Sequence, residues 1–275
     1  MLFRSQAQKE LEAANQRMKI ELEMAAGIQK SLLPANNQSF DGVEFCWQFR
    51  PCVELAGDTL NIIPLDKDRV AFYVIDVSGH GVSSALLSVT LHRWLSYKPG
   101  TYQVPALESG GSIRFETDSP AAVARQLNQQ FPMTGETPQY FTMLYGVLDR
   151  RNGDFRYVSA GHPGPILVSE MGDAVRLQSE GFPIGLLPDA DYHNEQMRLQ
   201  PGDRLYIFSD GIPEAANAEG KEFGVERCRS SLSRGRKSSL QESLTGLMTD
   251  LSQWCQDTPF HDDITILGIS FGVAP

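Results

Sequence analysis

The sequence predicts an α+β fold in which helices pack on antiparallel β-sheets, with one long helix at the N-terminus. Three observations support this: short β-like runs separated by turn residues begin at residue 45, helical segments come in pairs among them, and no internal repeat is visible. Of the 275 residues, 41% are hydrophobic, which is enough for one large domain with an appendage. We expect residues 1–36 to form a helical linker and residues 37–275 the domain.

The N-terminal helix is predicted over residues 4–33, which contain no proline and one glycine and are rich in good helix formers. An imperfect heptad seam follows one face, at Leu11, Met18, Ala25 and Leu32 and at Ala14, Glu21 and Ile28. The seam fits a dimerising coiled coil, and a solvated helix that packs on its own domain is the alternative. Pro34 ends the helix, and residues 35–42 form a turn-rich bridge.

The domain elements follow in chain order. Strands are predicted at 45–50, 61–65, 69–78, 141–149, 155–161, 165–168, 204–211 and 264–271. Helices are predicted at 81–97, 119–131, 226–232 and 239–254, the second capped by Ser119 with Pro120 at its first position. The polar stretch 98–118 is expected to be a mobile loop.

Composition excludes several classes of function. The chain carries 24 Lys and Arg against 34 Asp and Glu, so its formal net charge of -10 disfavours nucleic acid and anionic membrane as partners. No apolar run approaches the roughly 18 residues of a membrane span, and the N-terminus lacks a signal-peptide core. The cysteines fit reduced, mostly buried thiols; they are Cys46, Cys52, Cys228 and Cys255. We expect a soluble, cytoplasmic protein.

Four aspartates lie at strand ends or beside glycine. They are Asp58, Asp76, Asp210 and Asp262. Taken singly, each fits a turn or helix-cap aspartate. Taken together, they suggest a cluster, and clustered carboxylates remain ionised only where cations neutralise them. All-oxygen coordination favours Mg²⁺ or Mn²⁺, and no cysteine or histidine is placed to suggest zinc.

The segments around these aspartates resemble the SpoIIE/RsbU branch of the metal-dependent, protein phosphatase 2C-like superfamily. The segments that carry the resemblance are LAGDTLN, DVSGHGVSSALL, FTMLYGVLD, SAGHPGP, GFPIGLLPDADY, GDRLYIFSDGIPEAANAEGKEFG and DDITIL. They run from about residue 45 to 270, and ELEMAAGIQKSLLP before them looks like the family's helical linker. The resemblance implies a four-layer α-β-β-α sandwich of two antiparallel sheets flanked by helices.

The resemblance also implies site roles. Asp76 resembles the aspartate that bridges two Mn²⁺ or Mg²⁺ ions, with the Val77 carbonyl as a further ligand. Asp210 and Asp262 look like the pair completing one metal site, and Asp58 like the acid on the second. Asp263, the next residue, is a weaker candidate for a position outside the metal ligands. The implied reaction is in-line attack on a phosphoserine or phosphothreonine by a metal-bridging hydroxide.

Several residues depart from the family pattern or have open roles. Asn61 stands where the branch usually has a second aspartate, which removes a charge near the site. His80 is either a general acid for the leaving alkoxide or a loop residue, and so is also a candidate catalytic residue beside Asp58 and Asp76. His162 is expected to fix a turn beside the site, and His261 could touch it.

The resemblance implies partners as well. Branch members commonly act on a small anti-sigma-factor antagonist, and their linker couples to an upstream receiver or sensor module, so this chain is expected to be the output part of a longer response regulator. A homodimer through the N-terminal helix follows from the heptad seam. The competing hypothesis is a pseudophosphatase that has lost its metals and serves as a sigma-factor adaptor or signalling scaffold. A third, a coiled-coil interaction module, would leave the aspartates unexplained.

Overall fold

The computed structural model describes residues 2–96, 119–135 and 138–272, and the side chains of these except residues 2–5 and 7. The predicted loop at 98–118 lies outside this range.

Runs of strands are separated by groups of helices along the domain. The helices are α1 (Leu2–Leu32), α2 (Val82–Leu95), α3 (Pro120–Gln130), α4 (Gly211–Glu214), α5 (Val225–Arg234) and α6 (Leu240–Cys255), with a 3₁₀ turn at Gly235–Lys237. The strands are β1 (Gln38–Phe40), β2 (Val43–Arg50), β3 (Thr59–Pro64), β4 (Arg69–Val77), β5 (Phe141–Asp149), β6 (Asp154–Ala160), β7 (Ile166–Val168), β8 (Ala174–Arg176), β9 (Glu195–Arg198), β10 (Arg204–Phe208) and β11 (Ile264–Phe271).

The strands form two antiparallel sheets. The first has the order β1-β2-β11-β10-β7-β8, and the second has the order β3-β4-β5-β6-β9. Alternate side chains of β4 show how the sheets are layered: Phe72 and Val74 are buried between the sheets, whereas Tyr73 and Ile75 pack under α2 and α3. On the other side, α5 and α6 cover the first sheet. The predicted four-layer α-β-β-α sandwich is confirmed.

Most predicted elements are present, and local chemistry explains their ends. Ser119 accepts a hydrogen bond from the Ala122 backbone N–H at the start of α3. Ser239 and Glu242 form a reciprocal capping box on α6. The prediction missed β1, β8, β9 and α4, which are only three or four residues long. Short edge strands carry polar residues and too few alternations to be recognised.

Helix α1 projects from the domain for most of its length. At about 1.5 Å per residue its 31 residues span about 46 Å. Seam residues Leu11, Met18 and Ile28 are exposed, whereas Gln29 is buried against the domain and α1 contacts α2. The alternative of a helix that packs on its own domain therefore holds only for the last turns of α1. The boundary at residue 36 stays a prediction. No helix in the described ranges is both long and apolar enough to cross a membrane.

Candidate metal centre

Four strand ends meet at one end of the sandwich, and each carries a predicted site aspartate. In the second sheet Thr59 pairs with Ile75, so Asp58 enters β3 beside the point where Asp76 ends β4. In the first sheet Phe208 pairs with Ile266, which places Asp210 beside the start of β11. Because the two sheets pack face to face, these ends converge. The structure therefore brings together carboxyl groups separated by some two hundred positions.

The electrostatics of the cluster confirm that its members are neighbours. Burial, and then the negative charges of Asp210 and Asp262, raise the pKa of Asp76 to about 8. Burial and the charges of Asp76 and Asp263 raise the pKa of Asp58 well above its usual value. The Asp76 and Asp210 carboxyl groups are close enough to share a hydrogen bond. Partial burial of the carboxyl group is also the main cause of the raised pKa values of Asp210 and Asp262, although Asp262 as a whole residue is exposed.

Within the described residues, two buried carboxylate oxygens of the cluster, Oδ2 of Asp58 and Oδ1 of Asp210, make no hydrogen bond of normal geometry, although the Thr265 and Ser209 hydroxyl groups lie near Asp58. Among the ion pairs of the described side chains, none joins Asp58, Asp76, Asp210 or Asp262 to Lys or Arg. Desolvated carboxylates with no counter-charge are costly, so such oxygens fit a site that takes up cations. The donor set is all oxygen, as Mg²⁺ and Mn²⁺ prefer.

The carboxyl groups do not form a closed ligand shell. Within the described residues, no three His, Cys, Asp or Glu side chains stand as a complete metal-binding group. Two carboxyl groups that share a hydrogen bond, as Asp76 and Asp210 can, need one proton between them. A cation that replaced this proton would relieve the same repulsion.

Asp263 has a different environment from its neighbour Asp262. Its Oδ1 accepts the Cys52 backbone N–H at 2.8 Å, and its Oδ2 accepts the N–H groups of Gly57 at 2.7 Å and Asp58 at 3.3 Å. Asp263 is buried, whereas Asp262 is exposed. Asp263 thus holds the loop that presents Asp58, in line with an outer position rather than a metal-ligand position.

The loop before Asp58 is also held by the N-terminal helix. The Gln29 amide donates to the Ala56 carbonyl at 2.7 Å and accepts from the Ala56 N–H at 3.1 Å. A Cβ atom on Gly57 would lie 2.8 Å from the Val77 carbonyl oxygen, so only glycine fits there. Gln29, Ala56 and Gly57 therefore connect α1 to Asp58 and to the Val77 carbonyl. Sequence reasoning missed Gln29, because it lies in a largely polar helix where nothing distinguishes it.

The histidines take distinct positions. His80 is exposed in the loop after β4. Its positive charge partly offsets the effect of burial on the pKa of Asp262, so His80 lies at the rim of the cluster. His162 is buried beside the cluster, with Nδ1 2.8 Å from the Thr142 hydroxyl. His92 is buried on α2 against the Tyr73 hydroxyl. His261 is exposed.

Two further polar residues were placed wrongly or missed. Asn61 does not face the cluster: its amide donates to the Ser96 hydroxyl at 2.8 Å, on the α2 side of the second sheet. Glu214 was missed, although it follows Asp210 by four residues on α4. Burial and the charges of Asp210 and Glu222 raise its pKa, so it extends the acidic rim. The signal for it was its helical spacing from Asp210.

Comparisons with known proteins identify the family of this chain. Residues 66–272 match the family described as stage II sporulation protein E (SpoIIE). The phosphoserine phosphatase RsbU of Bacillus subtilis is 26% identical over 260 residues, which cover 94% of this chain and 72% of RsbU. The phosphoserine phosphatase RsbP of the same organism is 30% identical over 196 residues, which cover 70% of this chain and 45% of RsbP.

Solved structures show the same fold. The SiaA-PP2C domain of Pseudomonas aeruginosa superposes with a TM-score of 0.78 at 24% identity, covering 94% of this chain and 99% of that one. RsbX, solved in complex with magnesium, superposes with a TM-score of 0.60 at 15% identity, covering 86% of this chain and 98% of RsbX. At these identities the likeness establishes the architecture of two sheets between helical layers.

Proposed function

The chain belongs to the stage II sporulation protein E (SpoIIE) family of PP2C-type phosphatases, and on that premise we propose that it is a metal-dependent protein serine/threonine phosphatase. The observation that carries the proposal is the convergence of the buried Asp58 with the half-buried Asp76 and Asp210: their carboxyl groups have raised pKa values, and none of them pairs with Lys or Arg among the described side chains. When bound, two Mn²⁺ or Mg²⁺ ions would acidify water and neutralise charge on the phosphoryl oxygens.

Each residue of the cluster has a proposed task. Asp76, at the end of β4, would bridge the two cation positions, with the Val77 carbonyl as a further oxygen ligand. Asp210 and Asp262, from the first sheet, would complete one position, and Asp58 would complete the other. This assignment uses Asp58 and Asp210, each of which has one buried oxygen that makes no hydrogen bond of normal geometry to the described residues.

His80 is the proposed proton donor to the departing alkoxide. It is exposed at the rim, so a phosphoprotein side chain can reach it, and it lies close enough to Asp262 to lower the pKa of that carboxyl. A protonated imidazole there would donate to the serine or threonine oxygen as the bond to phosphorus breaks. Asp58 and Asp76 would orient the attacking water from the opposite, buried side.

The proposed substrate is a phosphoserine or phosphothreonine of a small anti-sigma-factor antagonist, with control by an upstream receiver or sensor module. Support comes from RsbU and RsbP, which are named phosphoserine phosphatases. The chain spans 45% of RsbP, so the partners of such a longer protein enter here only as proposals.

A metal titration tests the enzyme. Phosphate release from a phosphoserine peptide is followed as Mn²⁺ increases, with phosphotyrosine peptide as the substrate control and the exposed Asp189→Asn as the variant control. We expect turnover that saturates with Mn²⁺ and is lost in Asp76→Asn. An adaptor without metals would show no Mn²⁺ binding and no turnover at millimolar Mn²⁺, and it would leave the unpartnered oxygens of Asp58 and Asp210 unexplained.

The proposed homodimer is supported by exposure of the heptad seam. Leu11 is 61% exposed, Met18 57% and Ile28 66%, and a second copy of α1 would bury all three. Light scattering should give a dimer that Met18→Glu dissociates, while Gln16→Glu, on the outer face of the helix, leaves it intact. A monomeric wild-type chain would refute the dimer.

A further inference from the structure

His162 lies between the two sheets, directly behind the acidic cluster. It is 1% exposed and sits in the loop that leaves β6 in the second sheet and enters β7 in the first. Its own position is fixed, because its carbonyl accepts hydrogen bonds from the hydroxyl groups of Ser159, at 2.8 Å, and Ser179. The imidazole is therefore held rigidly at a crossing point between the layers.

The imidazole contacts β5, the strand paired with the one that carries Asp76, and β10, the strand that leads to Asp210. Its Nδ1 lies 2.8 Å from the Thr142 hydroxyl, and Thr142 is the residue directly opposite Asp76 in the β4–β5 ladder. The ring also lies against the backbone of Phe208, the last residue of β10, two positions before Asp210. The His162 side chain thus connects Thr142, the cross-strand neighbour of Asp76, with Phe208, which lies two residues before Asp210.

We propose that His162 is a positioning residue: in its neutral form it braces β5 against β10 and so fixes the separation of Asp76 and Asp210. This rests on the proposed function, because it is the metal affinity of those two carboxylates that the brace would serve.

The tautomer follows from the two contacts. The Thr142 hydroxyl can donate to Nδ1, which leaves the proton on Nε2, directed toward the Phe208 carbonyl. Nε2 is buried and makes no hydrogen bond of normal geometry within the described residues. Burial lowers the pKa of His162 to about 3, so the ring is uncharged over the working range of the protein. A neutral brace adds no charge beside the carboxylates.

The position of His162 matters because the carboxylates of Asp76 and Asp210 repel each other when both are ionised. Asp76 and Asp210 come from different sheets, and no ladder hydrogen bond joins β4 to β10. Their separation therefore depends on side-chain contacts between the layers: one is the hydrogen bond that the two carboxyl groups can share, and another is the contact of His162 with Thr142 and Phe208. Residues that orient metal ligands without touching the metal typically change metal affinity by about 10- to 100-fold when removed. That is the range expected for His162.

The test compares four variants with one control. His162→Asn keeps a group near Thr142 but cannot reach Phe208, and His162→Gln does the reverse. Thr142→Val removes the hydroxyl with little change in shape, whereas Thr142→Ser keeps a hydroxyl at the same position. These two variants can test the proposal even if the histidine variants fail to fold. The control is His92→Asn, which alters a buried histidine bonded to Tyr73 on the other face of the sheet.

Two readouts are needed. The first is Mn²⁺ affinity from the EPR signal of free Mn²⁺; the second is the Asp76–Asp210 separation in metal-free crystals. We expect His162→Asn, His162→Gln and Thr142→Val to weaken Mn²⁺ binding at least about tenfold and to widen the separation, with Thr142→Ser and His92→Asn close to wild type. Equal losses in His92→Asn, or an unchanged separation in the His162 and Thr142→Val variants, would overturn the brace. If the wild type bound no Mn²⁺, the proposed phosphatase would fail, while the separations would still decide on the brace.

Discussion

Replacing Asp263 with asparagine tests whether this residue holds the loop before Asp58 or binds metal, as its neighbour Asp262 is proposed to do. The Asp263 carboxylate accepts three backbone N–H groups, from Cys52, Gly57 and Asp58. In Asp263→Asn the side chain would keep one oxygen, so at least one of these buried donors would face an amide NH₂ instead. Leaving one buried donor unsatisfied costs about 1–3 kcal/mol.

A second effect has the opposite sign. The charge of Asp263 raises the pKa values of Asp58 and Asp76, so removing it relieves repulsion in the metal-free cluster. Because Asp263 is buried and its bonds are short, we expect the lost bonds to dominate. A net loss of about 2 kcal/mol would lower the melting temperature by about 4–8 °C in a domain of this size.

The assay is thermal unfolding in EDTA, with Asp262→Asn as the matched control. Asp262 is exposed, and its side chain accepts the Asp263 N–H, a hydrogen bond that asparagine can keep. We expect the metal-free melting temperature of Asp262→Asn to stay close to wild type, because such surface changes are usually within about 0.5 kcal/mol. If metal-free Asp263→Asn proves as stable as wild type or more so, Asp263 acts as a crowded ligand and the loop-holding role is refuted.

Three further predictions concern the same end of the molecule. The pKa of Asp76 is raised to about 8 in the folded metal-free protein, whereas the unfolded chain releases this proton near pH 4. The free energy of unfolding, measured by denaturant titration, should therefore decrease as the pH rises from about 4 to about 8. Asp76→Asn should flatten that slope; an unchanged slope would contradict the assignment. Asn61→Asp should leave Mn²⁺ affinity unchanged but destabilise the fold, because the charge would face Ser96; tighter Mn²⁺ binding would count against this placement. Gln29→Leu should lower the urea midpoint and the turnover, since both polar groups of Ala56 lose their partner, whereas Lys30→Ala should do neither.

The fold could be predicted because its long central strands are strongly hydrophobic runs bounded by turn residues, and because α3 and α6 begin with a capping serine. The carboxylate cluster could be predicted because each aspartate lies beside a strongly hydrophobic strand. The sequence did not show which of these side chains point toward the cluster. Asp262 and Asp263 are adjacent and chemically identical, and only the start of β11 decides that the second points inward.

Asn61 illustrates the same limit. Its spacing of three from Asp58 suggested a shared site, but β3 begins at Thr59, and along a strand an odd spacing reverses the face. Asn61 therefore meets Ser96 of the α2 side rather than the cluster. The contact of Gln29 with Ala56 joins residues 27 apart, and nothing local in a solvated helix marks it.

The central claim is that carboxylates from both sheets converge to hold two divalent cations. Calorimetric titration of the metal-free chain with Mn²⁺, in parallel with phosphate release from a phosphoserine peptide, tests it most directly. We expect two Mn²⁺ ions per chain, turnover that rises with their occupancy, and loss of both in Asp76→Asn. Turnover that persisted in Asp76→Asn, or a wild-type chain that bound no Mn²⁺ at millimolar concentration, would contradict the claim.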